Sequence, residues 1–110
     1  MSFGLKQFEF HNPVGWRQIS PGIEELTLND DGNGRRTVLQ KYAPGASTSI
    51  VHEHTYFEEV YLAEGSLTDI TLNQTWQKGA YAFRHPGMKH GPYISVNGCV
   101  MFVVSTPSSN

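Results

Sequence analysis

Apolar residues fall into short runs at 37–42, 50–51, 60–63, 67–72, 80–83 and 99–104. Between them lie turn signals at fairly even intervals: Asp30-Asp31-Gly32-Asn33-Gly34, Pro44-Gly45, Glu64-Gly65, Pro86-Gly87 and Asn97-Gly98. Gly, Pro, Asn and Asp mark such positions because they tolerate the backbone angles that turns demand. Asn97-Gly98, flanked by apolar arms, reads as a two-residue hairpin turn. No segment sustains the 3.6-residue apolar period of an amphipathic helix, and residues 24–28 are too short to count as one. Many short strands with regular turns predict an all-β sandwich or barrel. The first ten or so residues read as an arm.

Composition fits a small domain without changing that picture. A chain of 110 residues builds one core and has no length for a second. Eight basic residues against ten acidic ones, with no basic run beyond Arg35-Arg36, argue against nucleic-acid binding. The single cysteine, Cys99, cannot form an internal disulfide, so folding needs no oxidising compartment. No stretch suits a signal peptide or a membrane span. The expectation is a cytoplasmic protein with no membrane partner.

The stretch VHEHTYFEEVYLAEG carries the chemistry. His52, His54 and Glu58 share one parity, so a continuous strand or tight hairpin arm would aim all three the same way. With His90 they supply three imidazoles and a carboxylate, a full set for one divalent transition metal: Fe, Mn, Ni, Zn or Cu. Glu59 competes with Glu58, since a one-residue bulge would select it instead. Parity with the histidines and the six residues before Gly65 favour Glu58. Glu58 could alternatively orient a histidine rather than ligate. His85, beside a proline turn, and His11, in the arm, read as structural or solvated. Cys99 reads as a small packed group with nothing nearby to activate it.

These residues resemble the cupins. The first cupin motif runs Gly, five spacers, His-x-His, three or four spacers, Glu, six spacers, Gly. Here Gly45 is followed by six residues, then His52-x-His54, three residues, Glu58, six residues and Gly65. The second motif runs Gly, five spacers, Pro-x-Gly, two spacers, His, three spacers, Asn. Here Gly79 is followed by five residues, His85-Pro86-Gly87, two residues and His90, with Ile94 where asparagine is usual. His85 replaces the usual proline and Pro86 sits one place later. The resemblance covers roughly residues 36–104. Within the family, GRRTVLQKYAPGAS, HEH, EEVYLAEGSLTD and GAYAFRHPGMKHGP look like the subgroup of ChrR-type cupin domains and 2,4'-dihydroxyacetophenone dioxygenase-like proteins. A helical sigma-binding segment like that of the anti-sigma factors is not expected here, since the cupin uses up the chain.

The resemblance implies a jelly-roll-like double-stranded β-helix barrel with one metal near its mouth, commonly dimeric. Residues 1–35 would be the arm and first strands, 36–106 the barrel core and 107–110 a tail. Apolar arm residues Phe3, Leu5, Phe8 and Phe10 need a surface to cover, which fits a homodimer. Members span dioxygenases, isomerases, decarboxylases, lyases and non-catalytic ligand sensors, so fold likeness leaves the reaction open. Beside the metal, Glu58, Tyr56 and Tyr93 are the candidate catalytic residues, and Gln40, Tyr81 and Arg84 the candidate substrate-lining ones. Core or dimer packing is the competing role for at least half of the aromatics. The leading expectation is a dioxygenase, with Fe favoured, acting on a small hydroxyketone, diketone or phenolic compound. A sensory cupin with structural metal is the alternative, as is a metal-dependent isomerase or lyase.

Overall fold

The computed structural model describes Phe8 and residues 15–108. Among them there is no α-helix, and eleven strands carry the fold. In chain order these are β1 (Arg17–Ser20), β2 (Ile23–Asp30), β3 (Arg36–Tyr42), β4 (Ala46–Ser47), β5 (His52–Glu53), β6 (Phe57–Asp69), β7 (Gln74–Gln77), β8 (Tyr81–Arg84), β9 (Lys89–His90), β10 (Tyr93–Ser95) and β11 (Cys99–Thr106). All pairings are antiparallel, and the main sheet runs β1-β2-β3-β11-β6-β10-β4, with β7 and β8 also on β6. β5 and β9 form a separate two-stranded ladder. The antiparallel sheet curls on itself, within the all-β sandwich or barrel class that the turn spacing predicts.

Period-2 alternation builds the interior. Along β11, Cys99, Met101 and Val103 are buried while Phe102 faces out; along β3, Val38 and Tyr42 are buried with Gln40 on their side. Val60 and Leu62 of β6 close the same core. Each such side chain contributes roughly 1.5–3 kcal/mol by leaving water. The 30–34 turn forms as expected: Asp30 Oδ1 accepts from the Gly32 amide at 2.9 Å and Asp31 Oδ1 from the Asn33 amide at 2.7 Å.

Three expectations are corrected. Glu64-Gly65 is no turn, because β6 runs through it for 13 residues. Its first half lies between β11 and β8, and its second between β10 and β7. The strand passes from one group of partners to the other at Gly65, which has φ 78° beside a register shift against β11. A Cβ there would overlap the Gly98 carbonyl oxygen and come within 2.8 Å of Cys99 Cα, so only glycine fits. Asn97-Gly98 is a turn but not a hairpin: β10 pairs with β6 and β4, β11 with β3 and β6. Residues 50–51 form no strand and lie exposed. β2, whose sequence IEELTLND is half polar, is a full strand of the main sheet.

Candidate metal centre

β5 and β9 are short, but they set His52 directly opposite His90. Their rings stack with centroids 5.4 Å apart. His54 follows just beyond β5, where the chain turns before β6, so His52, His54 and Glu58 do not share one continuous strand. Glu58 points inward because β6 alternates on its own account: Glu58, Val60 and Leu62 are buried, Glu59 and Tyr61 are not. Glu59 lies on the outer face, accepting from the Tyr81 hydroxyl at 2.6 Å. The carboxylate turned inward is therefore Glu58.

Ligand atoms of His54, Glu58 and His90 all lie within 4.8 Å of one another, a group able to hold a metal ion. His54 Nε2 is 3.6 Å from Glu58 Oε2, and His90 Nε2 is 3.9 Å from Glu58 Oε1. These separations exceed a hydrogen bond and are of the order expected for donors sharing one ion. His52 stands outside that trio, its ring centroid 6.0 Å from that of His54. His90 Nε2 is buried and has no hydrogen-bond partner. A buried polar atom left unpaired costs about 1–3 kcal/mol, and a ligated ion would remove that cost. The donor set, imidazole with carboxylate, suits a divalent transition metal.

Arg84 and Tyr93 hold these donors in place. Arg84 Nη1 donates to Glu58 Oε1 at 2.9 Å and Nη2 to the Tyr93 hydroxyl at 2.7 Å. Only one carboxylate oxygen is engaged by the guanidinium; Oε2 faces His54. The Tyr93 hydroxyl also meets His90 Nδ1 at 2.9 Å. With Nδ1 bonded there, Nε2 is the nitrogen turned toward Glu58 and His54. Burial, then Arg84 and the neighbouring imidazoles, hold His90 down to about 3. Burial and then His54 lower His52 as well. Both are neutral near pH 7, the form in which imidazole ligates. Burial pushes the Tyr93 hydroxyl up to about 12, so it stays protonated.

The trio faces a cavity of about 770 Å³ that also receives His52, Tyr56, Gln40 and Arg84. Tyr56 stacks on His54, with centroids 4.6 Å apart. Tyr81 is not among the residues lining this cavity. β8 pairs with β6 so that Arg84 sits opposite inward Glu58 and Tyr81 opposite outward Tyr61, which leaves Tyr81 in solvent. His85 is exposed, its Nδ1 3.0 Å from the Pro86 carbonyl oxygen, and Cys99 is buried with its thiol pKa raised by burial. His11, Phe3, Leu5 and Phe10 lie outside the described residues; Phe8 is exposed.

Sequence reasoning missed Glu25 and Arg36, which line the cavity. Glu25 is buried and accepts from Arg36 at 2.9 Å and Gln40 at 3.2 Å. Burial opposes its ionisation, but the Arg36, Gln40 and Arg17 contacts outweigh it and hold the carboxyl below its usual range. The available signal was parity: Ile23 and Glu25 share a face, and a glutamate on an apolar face needs a reason to be there.

This architecture and site define a cupin. The family model described as the ChrR cupin-like domain matches residues 9–109, and the chain belongs to that family. The match begins well before residue 36, so the first strands are part of the cupin unit. An RmlC-like cupin from Shewanella frigidimarina superposes with TM-score 0.76 at 20% identity, covering 96% of this chain and 94% of that one. An acetylacetone dioxygenase from Acinetobacter johnsonii gives 0.74 at 15% identity, covering 96% and 76%. Rhodobacter sphaeroides SigE in complex with the anti-sigma ChrR gives 0.69 at 18% identity, covering 83% of this chain and 49% of that one. At these identities the likeness is one of fold. None of the curated proteins matches. No helix among the described residues is long and apolar enough to cross a membrane.

Proposed function

We propose that the chain is a metal-dependent small-molecule enzyme, most specifically a dioxygenase acting on a small hydroxyketone, diketone or phenolic compound. The observation that carries the reading is the buried, unpartnered His90 Nε2, converging with His54 and Glu58 on a cavity of substrate size. His52, His54, Glu58 and His90 are the proposed ligands, with His52 completing the set by a change of ring orientation. A bound divalent ion supplies Lewis acidity and, if it is iron, access to dioxygen chemistry. Arg84 fixes the Glu58 carboxylate and Tyr93 fixes the His90 ring. The role assigned to Tyr56, which stacks on His54, is to hold or pass a proton at its hydroxyl, and that assigned to Gln40, which lines the cavity, is to contact the bound compound. The acetylacetone dioxygenase among the structural neighbours supports trying diketones first. A second reading, a ligand sensor without turnover, draws on the ChrR description of the family.

We further propose a homodimer in the cytoplasm. The outward aromatics Tyr61, Phe83 and Phe102, about half exposed on neighbouring strands, support the first, and the free buried Cys99 is compatible with the second. The test of the main reading is elemental analysis of protein purified without added metal, alongside His54→Ala, followed by oxygen uptake with Fe(II) and a panel of diketones, hydroxyketones and phenols. Iron near one equivalent, lost in the variant, with substrate-dependent oxygen uptake is the expected result. Zinc, nickel or manganese would move the search to isomerases and lyases. Binding without oxygen uptake would favour the sensor, and no metal even after reconstitution would defeat the metal reading.

A further inference from the structure

Behind the metal cavity lies a second one, of about 260 Å³, on the side where β6, β7 and β8 meet. Its apolar lining includes Leu72, Trp76, Ala80, Ala82, Met88 and Met101. Arg84, His90 and Tyr93 line both cavities and so form the partition between them. Among the polar groups along its wall, Arg84 and Asp69 are engaged, and the unpartnered His90 Nε2 is turned toward Glu58 in the other cavity. Arg84 donates to Glu58 and Tyr93, and the Asp69 carboxylate accepts from the amides of Leu72 and Gly91 at 3.0 and 3.3 Å. Lys89, at the rim, is exposed.

The void has a local cause. β8 places two small residues, Ala80 at its edge and Ala82 within it, against the core on which Trp76 also packs. The mouth is rimmed by large side chains left in water, Leu72 at 63% and Met88 at 38% exposure. A hollow that reaches buried Leu62 and Leu67 and is edged by exposed apolar groups has the form of a ligand site rather than a packing fault. Its size sets the ligand. A closed apolar cavity of about 150 Å³ admits benzene, and drug-sized ligands occupy roughly 300–1,000 Å³. The volume here lies between them.

We propose that this cavity is a second binding site, separate from the metal centre, for a small uncharged apolar molecule: one aromatic ring or a short branched aliphatic chain. Its apolar lining contains no proposed ligand, and of the proposed ligands His90 alone reaches it, through the shared partition. Met88 lines this cavity alone, Met101 lines both, and Met1 is the one other methionine. The test is a toluene titration of the whole chain carrying ¹³C-methyl methionine, with and without one equivalent of zinc. Saturable shifts of the Met88 and Met101 methyls, with Met1 unmoved and zinc without effect, are expected. Ala82→Leu fills the hollow and should weaken binding at least tenfold. Ala80→Leu serves the same purpose if the first variant does not fold. A Met88 methyl unmoved up to the solubility limit of toluene would overturn the proposal. So would movement of Met101 alone, which would place the ligand in the metal cavity, or binding that survives both fillings. A Met88 shift that follows protein concentration without toluene would show that a second copy covers the mouth, and would also overturn it.

Discussion

Replacing Tyr93 by Phe isolates the contribution of one hydroxyl to the proposed metal centre. The ring is buried, and phenylalanine retains its packing, so no cavity of side-chain size is opened. Two contacts disappear, that from Arg84 Nη2 at 2.7 Å and that with His90 Nδ1 at 2.9 Å. His90 Nδ1 is then left without its partner, a cost of about 1–3 kcal/mol to the metal-free fold. The imidazole is also freed to rotate, and Nε2 no longer has one fixed direction. Loss of a partner that orients a ligating histidine typically weakens metal binding 10- to 100-fold, or about 1.4–2.7 kcal/mol. Arg84 still holds Glu58, so the carboxylate stays in place and the loss should not be complete. Competition for zinc against a chromophoric chelator reads the affinity, and thermal melting of metal-free protein reads the stability. Tyr81→Phe is the control, because it removes a comparable 2.6 Å contact on the solvent face. That change should move stability by no more than about 0.5 kcal/mol and leave zinc affinity alone. Zinc affinity of Tyr93→Phe within twofold of the parent would refute the assignment of Tyr93 as a positioning residue.

Three further outcomes are expected. Glu58→Gln should abolish near-stoichiometric metal binding while Glu59→Gln retains it, as elemental analysis of both would show; the reverse pattern would make Glu59 the ligand. Gly65→Ala should cost more than about 3 kcal/mol, because its Cβ meets backbone on β11 that cannot swing aside, and urea unfolding against Gly79→Ala, where open space surrounds the site, provides the comparison. Metal-free protein should lose stability in acid. His90 binds its proton with a value of about 3 in the fold against 6.5 ordinarily, so the unfolded chain takes up the proton first. Stability therefore falls as pH drops from about 6.5 toward 3, by on the order of 2 kcal/mol at pH 4 once solvent access is allowed for. Glu25, with its carboxyl held below 4.5, adds to the loss in the same direction at the acid end. Denaturation midpoints that stay flat between pH 7 and 4 would contradict the burial of His90.

The sequence made the strands legible where apolar residues are continuous, as in β3 and β11, and hid them where polar residues dominate, as in β2 and β7. Turn residues marked bends correctly without saying what the bends join. Gly65 is a glycine because two strands touch there, and Gly98 connects strands that never pair with each other. Parity selected Glu58, yet the strand it was reckoned along is broken between His54 and β6. Glu58 nevertheless faces inward, because β6 alternates independently, with Val60 and Leu62 marking its inner face. Arg84 and Tyr81 differ by one strand face, and that face is set by which residue of β6 each one meets. Cross-strand register is a long-range property, and one chain read in isolation does not carry it. Glu25 and Arg36 escaped notice for the same reason: their meeting depends on β2 pairing with β3.

The sharing of β6 between two sets of neighbours has a kinetic consequence. Its pairing with β11 joins Phe57 to Thr106 and Glu58 to Ser105, and its far half pairs with β10. Of the strands that pair, only β1–β2, β2–β3 and β6–β7 follow one another directly in the chain. The chain must close long loops before its central strand gains most of its partners, and that entropy is lost before the contacts repay it. Folding is accordingly expected on the millisecond-to-second scale of non-local β topologies. His54 and Glu58 are near neighbours in the chain, but His90 reaches them only when β9 pairs with β5 across another long loop. The candidate centre is thus completed only by a long-range pairing, and a chain caught part-way would present His54 and Glu58 without His90.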